Sequence, residues 1–271
     1  MIRLAVRVRR EQAELVLAEL LGLAPSGVEE RDLPGGVVEY AVYGAPGEVP
    51  ELPDVRAAAG GALVEVVTER VADDWHERWK AFHRPVDAGV LHLRAPWHDP
   101  PPRGRVEVVI DPGQAFGTGA HDTTRLCLEL LAGLAPAGAC VDVGCGSGVL
   151  AIAAAKLGWS PVLGVDHDPE AVRATRANAA ANAVVVEARR HDVRDAPAPG
   201  APLVLANLLR PLLLRVAADG FAGEQPRLVI ASGLLPSEAG AVASAFAARG
   251  LRERARRVTA EWCALLLQRA G

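Results

Sequence analysis

The stretch "ACVDVGCGSGVLAIAAAKLG", residues 139–158, decides the fold. A short apolar run meets three alternate glycines, Gly144, Gly146 and Gly148, and an alanine-rich segment without breakers follows. That pattern reads as strand, tight turn, helix. The first amides of a helix have no intrahelical acceptor and carry the positive end of its dipole, so glycines at this junction let a ligand reach the backbone. A dinucleotide site would place glycine or alanine three residues after the second glycine. Here that position is Val149. Asp142 stands two residues before Gly144, and its charge repels a pyrophosphate and attracts an ammonium.

Further along, "PVLGVDHDP" puts Asp166 at the end of the next strand, 22 residues after Gly144. A carboxylate at that place can accept hydrogen bonds from both hydroxyls of a ribose. A ligand with a cationic amino-acid end and a nucleoside end fits both acids, and S-adenosylmethionine is such a ligand. Asp168 and Pro169 read as the N-cap and first position of the following helix, a structural role. Asp192, in "RRHDV" after the third strand, is a candidate for the adenine edge, with a solvated loop acid as the other reading. From about residue 86 onward, near-continuous apolar strands alternate with helical segments. This predicts a parallel sheet covered on both faces. Two adjacent closing strands, "LRERARRV" and "EWCALLLQ", predict an antiparallel edge.

Toward the amino terminus the pattern changes. Ile2, Leu4, Val6 and Val8 alternate with Arg3, Ala5 and Arg7, which predicts a half-buried strand. A helical "EQAELVLAELLGL", the strands "GVEERD" and "VVEYAVYG" around the turn "PGG", a short helix and "ALVEVVTERV" complete a split-βαβ, ferredoxin-like order over residues 1–70. In "ADDWHERWKAFHRPV", Trp75, Trp79 and Phe82 share one helical stripe before Pro85. Residues 71–85 are therefore expected to form a linker helix between the first module and a catalytic domain over 86–271.

Bulk properties narrow the function classes. The net charge of −4 argues against a large nucleic-acid footprint. Apolar runs such as "VLAIAAA" fall far short of the ~20 residues that cross a bilayer. The opening "MIRLAVRVRREQAEL" has no apolar signal core, so a cytoplasmic location is expected, with no membrane partner. Cys127, Cys140, Cys145 and Cys263 show no C-x-x-C pairing and no histidine at metal spacing, so reduced thiols and no metal are expected.

A second glycine-rich stretch, "DPGQAFGTGAHDTT" at 111–124, lies just upstream of the first. Together with "DVGCGSGVLAIAAAKLG", the later "ANLL" and the closing "EWC", it resembles the bacterial methyltransferases that modify the ribosomal stalk-base protein, large-subunit protein eleven, of the PrmA type. The resemblance runs from about residue 72 to the end, and residues 1–70 agree with that family's small recognition domain in element pattern. It implies a seven-stranded class I S-adenosylmethionine-dependent methyltransferase domain, Rossmann-like, behind an α+β ferredoxin-like domain. It also implies that the 144–148 turn cradles the methionine end of the cofactor, while the 111–124 loop folds over it and contributes Thr123 and Thr124. Cofactor contacts implied are Thr124, Gly144, Asp166 and Asn207; Asp142, Gly146, Gly148 and Asp192 complete the expected set. The implied target is lysine side-chain and N-terminal amines of the stalk-base protein, by an enzyme expected to work as a monomer.

Methyl transfer to an amine needs a neutral nucleophile, whereas a lysine with a reference pKa near 10.4 is protonated at neutral pH. Asn207, at the end of "PLVLA", is expected to accept the amine's hydrogens and aim its lone pair; capping the next helix is its other reading. His121 is a candidate base, against a role in holding its own loop. Phe116 is expected to wall the amine. The alternative target is a lysine of another protein, such as an electron-transfer flavoprotein subunit. A nucleic-acid enzyme of this fold would carry "N-P-P-Y" where "ANLLRPLL" stands. "RANAAAN" is followed by Ala183 where the family usually has glycine.

Overall fold

The computed structural model describes residues 2–13, 16–17, 20, 28–44, 49–50, 52–70, 84–111 and 121–270. The expected linker helix with Trp75, Trp79 and Phe82, and the part of the first glycine stretch holding Phe116, lie outside the described residues. The chain divides into two compact units, residues 1–82 and 83–271.

The first unit carries an antiparallel sheet of β1 (Ile2–Arg9), β2 (Glu29–Leu33), β3 (Val37–Gly44) and β4 (Leu63–Arg70), in the order β2-β3-β1-β4. Helix α1 (Leu52–Ala59) lies between β3 and β4 in the chain. The strand order and α1 agree with the split-βαβ order that the alternating pattern predicts, while the helical stretch "EQAELVLAELLGL" lies in large part outside the described residues. Leu4, Val6 and Val8 enter one core with Ala13, Val16, Leu20, Val38 and Tyr40. On the opposite face Arg7 Nε donates to Glu39 at 2.8 Å, and Arg3 donates to the same carboxylate. Burial raises the cost of the Glu39 charge, but the hydrogen bonds from Arg7 and Arg3 outweigh it and hold the carboxyl below its ordinary range.

The second unit opens with a small sheet of β5 (Val86–Ala88), β6 (Leu91–Arg94) and β7 (Val106–Val109), in that order. β6 pairs with both β5 and β7, and β5 and β6 are too short for their alternation to stand out in the sequence. The main sheet contains β8 (Cys140–Val143), β9 (Val162–Asp166), β10 (Glu187–Arg190), β12 (Leu203–Asn207), β14 (Leu228–Leu234), β15 (Leu251–Val258) and β16 (Cys263–Arg269). Short strands β11 (Ala198–Gly200) and β13 (Phe221–Gly223) pair apart from it. The main order is β10-β9-β8-β12-β14-β16-β15, with only β16 antiparallel to its neighbours. Helices α2 (Asp122–Ala132), α3 (Val149–Lys156), α4 (Pro169–Ala181), α5 (Arg210–Asp219) and α6 (Ala239–Ala247) alternate with these strands along the chain.

The pleat explains the near-continuous apolar strands. Leu203 and Leu205 of β12 face one core with Leu126, Leu131 and Ile152. Val204 and Ala206 face the other with Leu213, Val242 and Phe246. Residues 203–206 of β12 are thus all buried, on one side or the other.

Strand β10 begins at Glu187, three residues later than the run "VVVEA" suggests. Helix α4 ends in a reversal that uses up the start of that run: Ala183 N–H donates to Ala180 O at 3.0 Å and Val184 N–H to Ala179 O at 3.2 Å. Ala183 is left-handed there, with φ 54°, and is the only non-glycine residue with positive φ among the described ones. Glycine is the usual residue at that position of a helix-ending turn because it has no Cβ to clash. We predict that Ala183→Gly raises the stability of the protein by ~0.5–1 kcal/mol in urea denaturation. No change, or a loss, would show that the Cβ carries no strain there.

Candidate active site

The strand order reverses between β8 and β12, and in open parallel sheets ligands bind outside the carboxyl ends at such a reversal. Gly144, Asp166 and Asn207 follow or close the three central strands there. The amides of Gly144 and Cys145 donate to Val165 O at 2.8 and 3.0 Å, which ties the turn to the end of β9. Gly148 caps helix α3 with φ 84°, and a Cβ on it would meet the Thr175 backbone at 3.0 Å. No side chain fits that junction.

Asp142 lies beneath the turn, 1% exposed. Its Oδ2 accepts from Ala151 N–H at 3.0 Å, and Oδ1 is buried with no partner among the described residues. Burial pushes this carboxyl up to about 7, and the Asp166 charge adds to the effect, against the Ala151 hydrogen bond. A buried acid oxygen without a donor is the feature a ligand ammonium would relieve. Asp166 accepts from the amides of Gly146 and Asp168, each at 3.0 Å, and shares a cavity with Val143, Gly144, His191, Asp192 and Leu208. Asp192 is held by the Arg194 side chain at 2.7–3.0 Å and by the Arg194 amide at 2.8 Å, and these bonds keep its carboxyl well below the usual range. This cavity, with an acid at one wall and apolar Val143 and Leu208 at another, suits a nucleoside.

Thr123, Thr124 and Asn207 form a second group. The Asn207 amide nitrogen donates to both threonine hydroxyls at 3.3 Å. His121 caps helix α2: its Nδ1 accepts from Thr123 N–H at 3.3 Å and lies 2.8 Å from Thr123 Oγ1. An aspartate or threonine pattern hides this, because imidazole is rarely counted among capping groups. The histidine ring meets Trp262 edge-on, centroids 4.9 Å apart. Asp168 caps α4 as its sequence suggests, accepting from Glu170 N–H at 2.8 Å.

Several contributors escape sequence reading. Ser232 is fully buried and donates to Thr123 O at 3.1 Å, while its own carbonyl accepts from Leu208 N–H at 3.0 Å. Gly233 follows at φ 86°, where a Cβ would strike the Leu208 carbonyl. Glycine inside the strand run "VIASGLL" was the available signal for this bulge. His191 carries no motif, yet it lines the cavity with Nε2 buried and unpartnered among the described residues. Burial pushes the Cys127 and Cys145 thiols up to about 12, so neither is a nucleophile at neutral pH. Among the described residues no group of three or more His, Cys, Asp or Glu is placed to hold a metal ion, and no helix is long and apolar enough to cross a membrane.

This sheet and site define a class I S-adenosylmethionine-dependent methyltransferase. Residues 54–270 match the family described as ribosomal protein L11 methyltransferase (PrmA), and the chain belongs to that family. A ribosomal protein L11 methyltransferase of Geobacter metallireducens is 41% identical over 205 residues, covering 74% of this chain and 68% of its own. One from Heliobacterium modesticaldum is 32% identical and covers 99% of this chain and 97% of its own. The crystal structure of a ribosomal protein L11 methylase from Lactobacillus delbrueckii subsp. bulgaricus superposes with a TM-score of 0.61 at 27% identity, over 70% of this chain and all of that one. Nothing among these relatives supports an electron-transfer flavoprotein subunit as the target.

The raised Asp142 carboxyl makes a pH prediction. Its folded value of about 7 lies above the unfolded value near 3.9, so its contribution is fully present below about pH 4 and is lost as pH rises through 7. Asp142→Asn removes that loss. Urea denaturation of the ligand-free protein should find the variant at least as stable as the parent at pH 8, with a flatter profile between pH 5 and 8. A variant that tracks the parent at every pH would mean that Asp142 does not titrate in this window.

Proposed function

We propose that this enzyme transfers methyl groups to lysine side-chain and N-terminal amines of ribosomal protein L11. When bound, S-adenosylmethionine supplies a methyl group activated on a sulfonium. In this reading the 144–148 turn holds its methionine end through Gly144, Gly146 and Gly148, with Asp142 compensating the ammonium from below. Asp166 takes the ribose hydroxyls, and Asp192 lies by the adenine. Thr123 and Thr124 line the reacting end. Phe116, outside the described residues, is proposed as a wall for the amine.

The observation that carries the reading is the state of Asn207. Its amide nitrogen is committed to Thr123 and Thr124, which turns the other end of the side chain, an oxygen, into the free acceptor. An acceptor fixed in this way can take an amine's hydrogen and hold the lone pair on line, which is the positioning that accelerates a displacement. Thr123 Oγ1 accepts from Asn207 and can donate onward to His121 Nδ1. With Nδ1 taking both the hydroxyl and the Thr123 amide, a neutral imidazole keeps its proton on Nε2 and has no lone pair left for base work. His121 thus serves as a positioning residue, and the amine loses its proton to solvent on its way into apolar surroundings, which favour the neutral form.

The relative matched over 99% of this chain includes the amino-terminal module, which supports assigning residues 1–70 to recognition of the protein substrate and 71–85 to the arm that joins it to the catalytic domain. An acidic net charge of −4 fits a protein target better than a bare nucleic acid. We place the enzyme in the cytoplasm, acting as a monomer.

The first test is intact mass spectrometry of ribosomal protein L11 from cells lacking such an enzyme, before and after incubation with this protein and S-adenosylmethionine. Mass gains in steps of one methyl, mapped to lysines or the amino terminus, are expected; a null result with the cofactor bound would remove the substrate and keep the enzyme class. S-Adenosylmethionine should also raise the melting temperature where NAD does not. For His121 the decisive variant is His121→Asn, which retains a capping acceptor. Its turnover is expected within about tenfold of the parent, whereas a fall of about 10²-fold or more would give the imidazole the proton-transfer role.

A further inference from the structure

Helix α4 and its C-cap bury three polar side chains, Thr175, Asn178 and, at the cap, Asn182, none more than 5% exposed. Their spacing of three and four residues puts them in one stripe. Thr175 Oγ1 donates to Gly146 O at 3.0 Å. Asn178 Nδ2 donates to Ser147 O at 2.9 Å, and its Oδ1 accepts from Asp111 N–H at 3.2 Å. Asn182 Oδ1 accepts from Val109 N–H at 2.9 Å, and its Nδ2 donates to Val109 O at 2.5 Å and to Asn178 O at 2.8 Å. Strand β7 ends the small sheet, so its outer edge lacks a strand partner. Asn182 stands in for one, meeting both backbone groups of Val109.

The two asparagines are alike in burial and in satisfying backbone groups. They differ in reach. Asn182 bonds to the β7 edge and to its own helix, whereas Asn178 spans from the residue that opens the first glycine stretch to the middle of the cofactor turn. A side-chain amide is short and planar, so bonding both ends fixes the separation of Asp111 N and Ser147 O. We infer that Asn178 is a positioning residue for the methyl donor: by tying Ser147 to Asp111 it presets the turn, and so raises donor affinity from a place outside the cavity. The inference rests on the reading of residues 144–148 as the cofactor cradle.

Calorimetric titration of the full chain with S-adenosylhomocysteine, at a temperature well below unfolding, tests it on Asn178→Ala, Asn178→Asp and Asn182→Ala. Both alanine variants remove side-chain partners of backbone groups and should lower the melting temperature. Binding should separate them: about tenfold weaker for Asn178→Ala, and within about twofold of the parent for Asn182→Ala. Asn178→Asp keeps the acceptor for Asp111 but cannot donate to Ser147 O, so its affinity should fall with the alanine variant; it carries the comparison should Asn178→Ala fail to fold. Asn178 variants that bind as tightly as Asn182→Ala overturn the inference and leave the cradle intact. A parent protein that does not bind S-adenosylhomocysteine overturns the cradle reading itself, and the inference with it.

Discussion

The junction where β8 turns into helix α3 is the constraint on which the rest of the catalytic unit depends. In five residues the chain must leave a strand buried on both faces, turn at the sheet's carboxyl edge, and re-enter as a helix whose first six residues are all buried. Three glycines at positive φ make the reversal sterically possible. Two hydrogen bonds to Val165 O and one from Ala151 to Asp142 then fix it against β9 and the helix. Because the turn is pinned to its neighbours, the cavity beside it has a defined wall before any ligand arrives.

The same junction carries a stability cost. Asp142 is sealed with one oxygen unpaired among the described residues, a state that apolar packing would never select. Burial and the Asp166 charge raise its carboxyl, the pattern found where function and stability pull apart. On the other side of the reversal the polar groups are tied to one another instead. Asn207, Thr123, Thr124, His121 and Ser232 bond to one another and so join the start of α2 to the ends of β12 and β14.

Much of this was legible beforehand because it is local. The glycine spacing, the acid at each strand end, the Asp168 cap and the alternation of β1 and β3 express periods of two and 3.6 residues or the needs of a single turn. Strands β5 and β6 were not legible, since three or four residues carry too little pattern. The start of β10 was displaced because its apolar run is shared with the end of α4. The cap of α2 is not legible either, because Thr123 and Asp122 are better cap formers in isolation and only the path of the chain gives the place to His121.

The sequence by itself determined that there would be an α/β sheet with a glycine turn, a nucleoside-type ligand with a cationic end, and a separate split-βαβ module. It did so because each of those features is written within a few turns or strands of contiguous chain. Tertiary structure alone decided which side chains meet: Ser232 with Thr123, Asn207 with both threonines, Asn178 with Asp111 and Ser147, across separations of 31 to 109 residues. Those partners are selected by the need to satisfy buried backbone and amide groups once the sheet has closed, and no local period records that need.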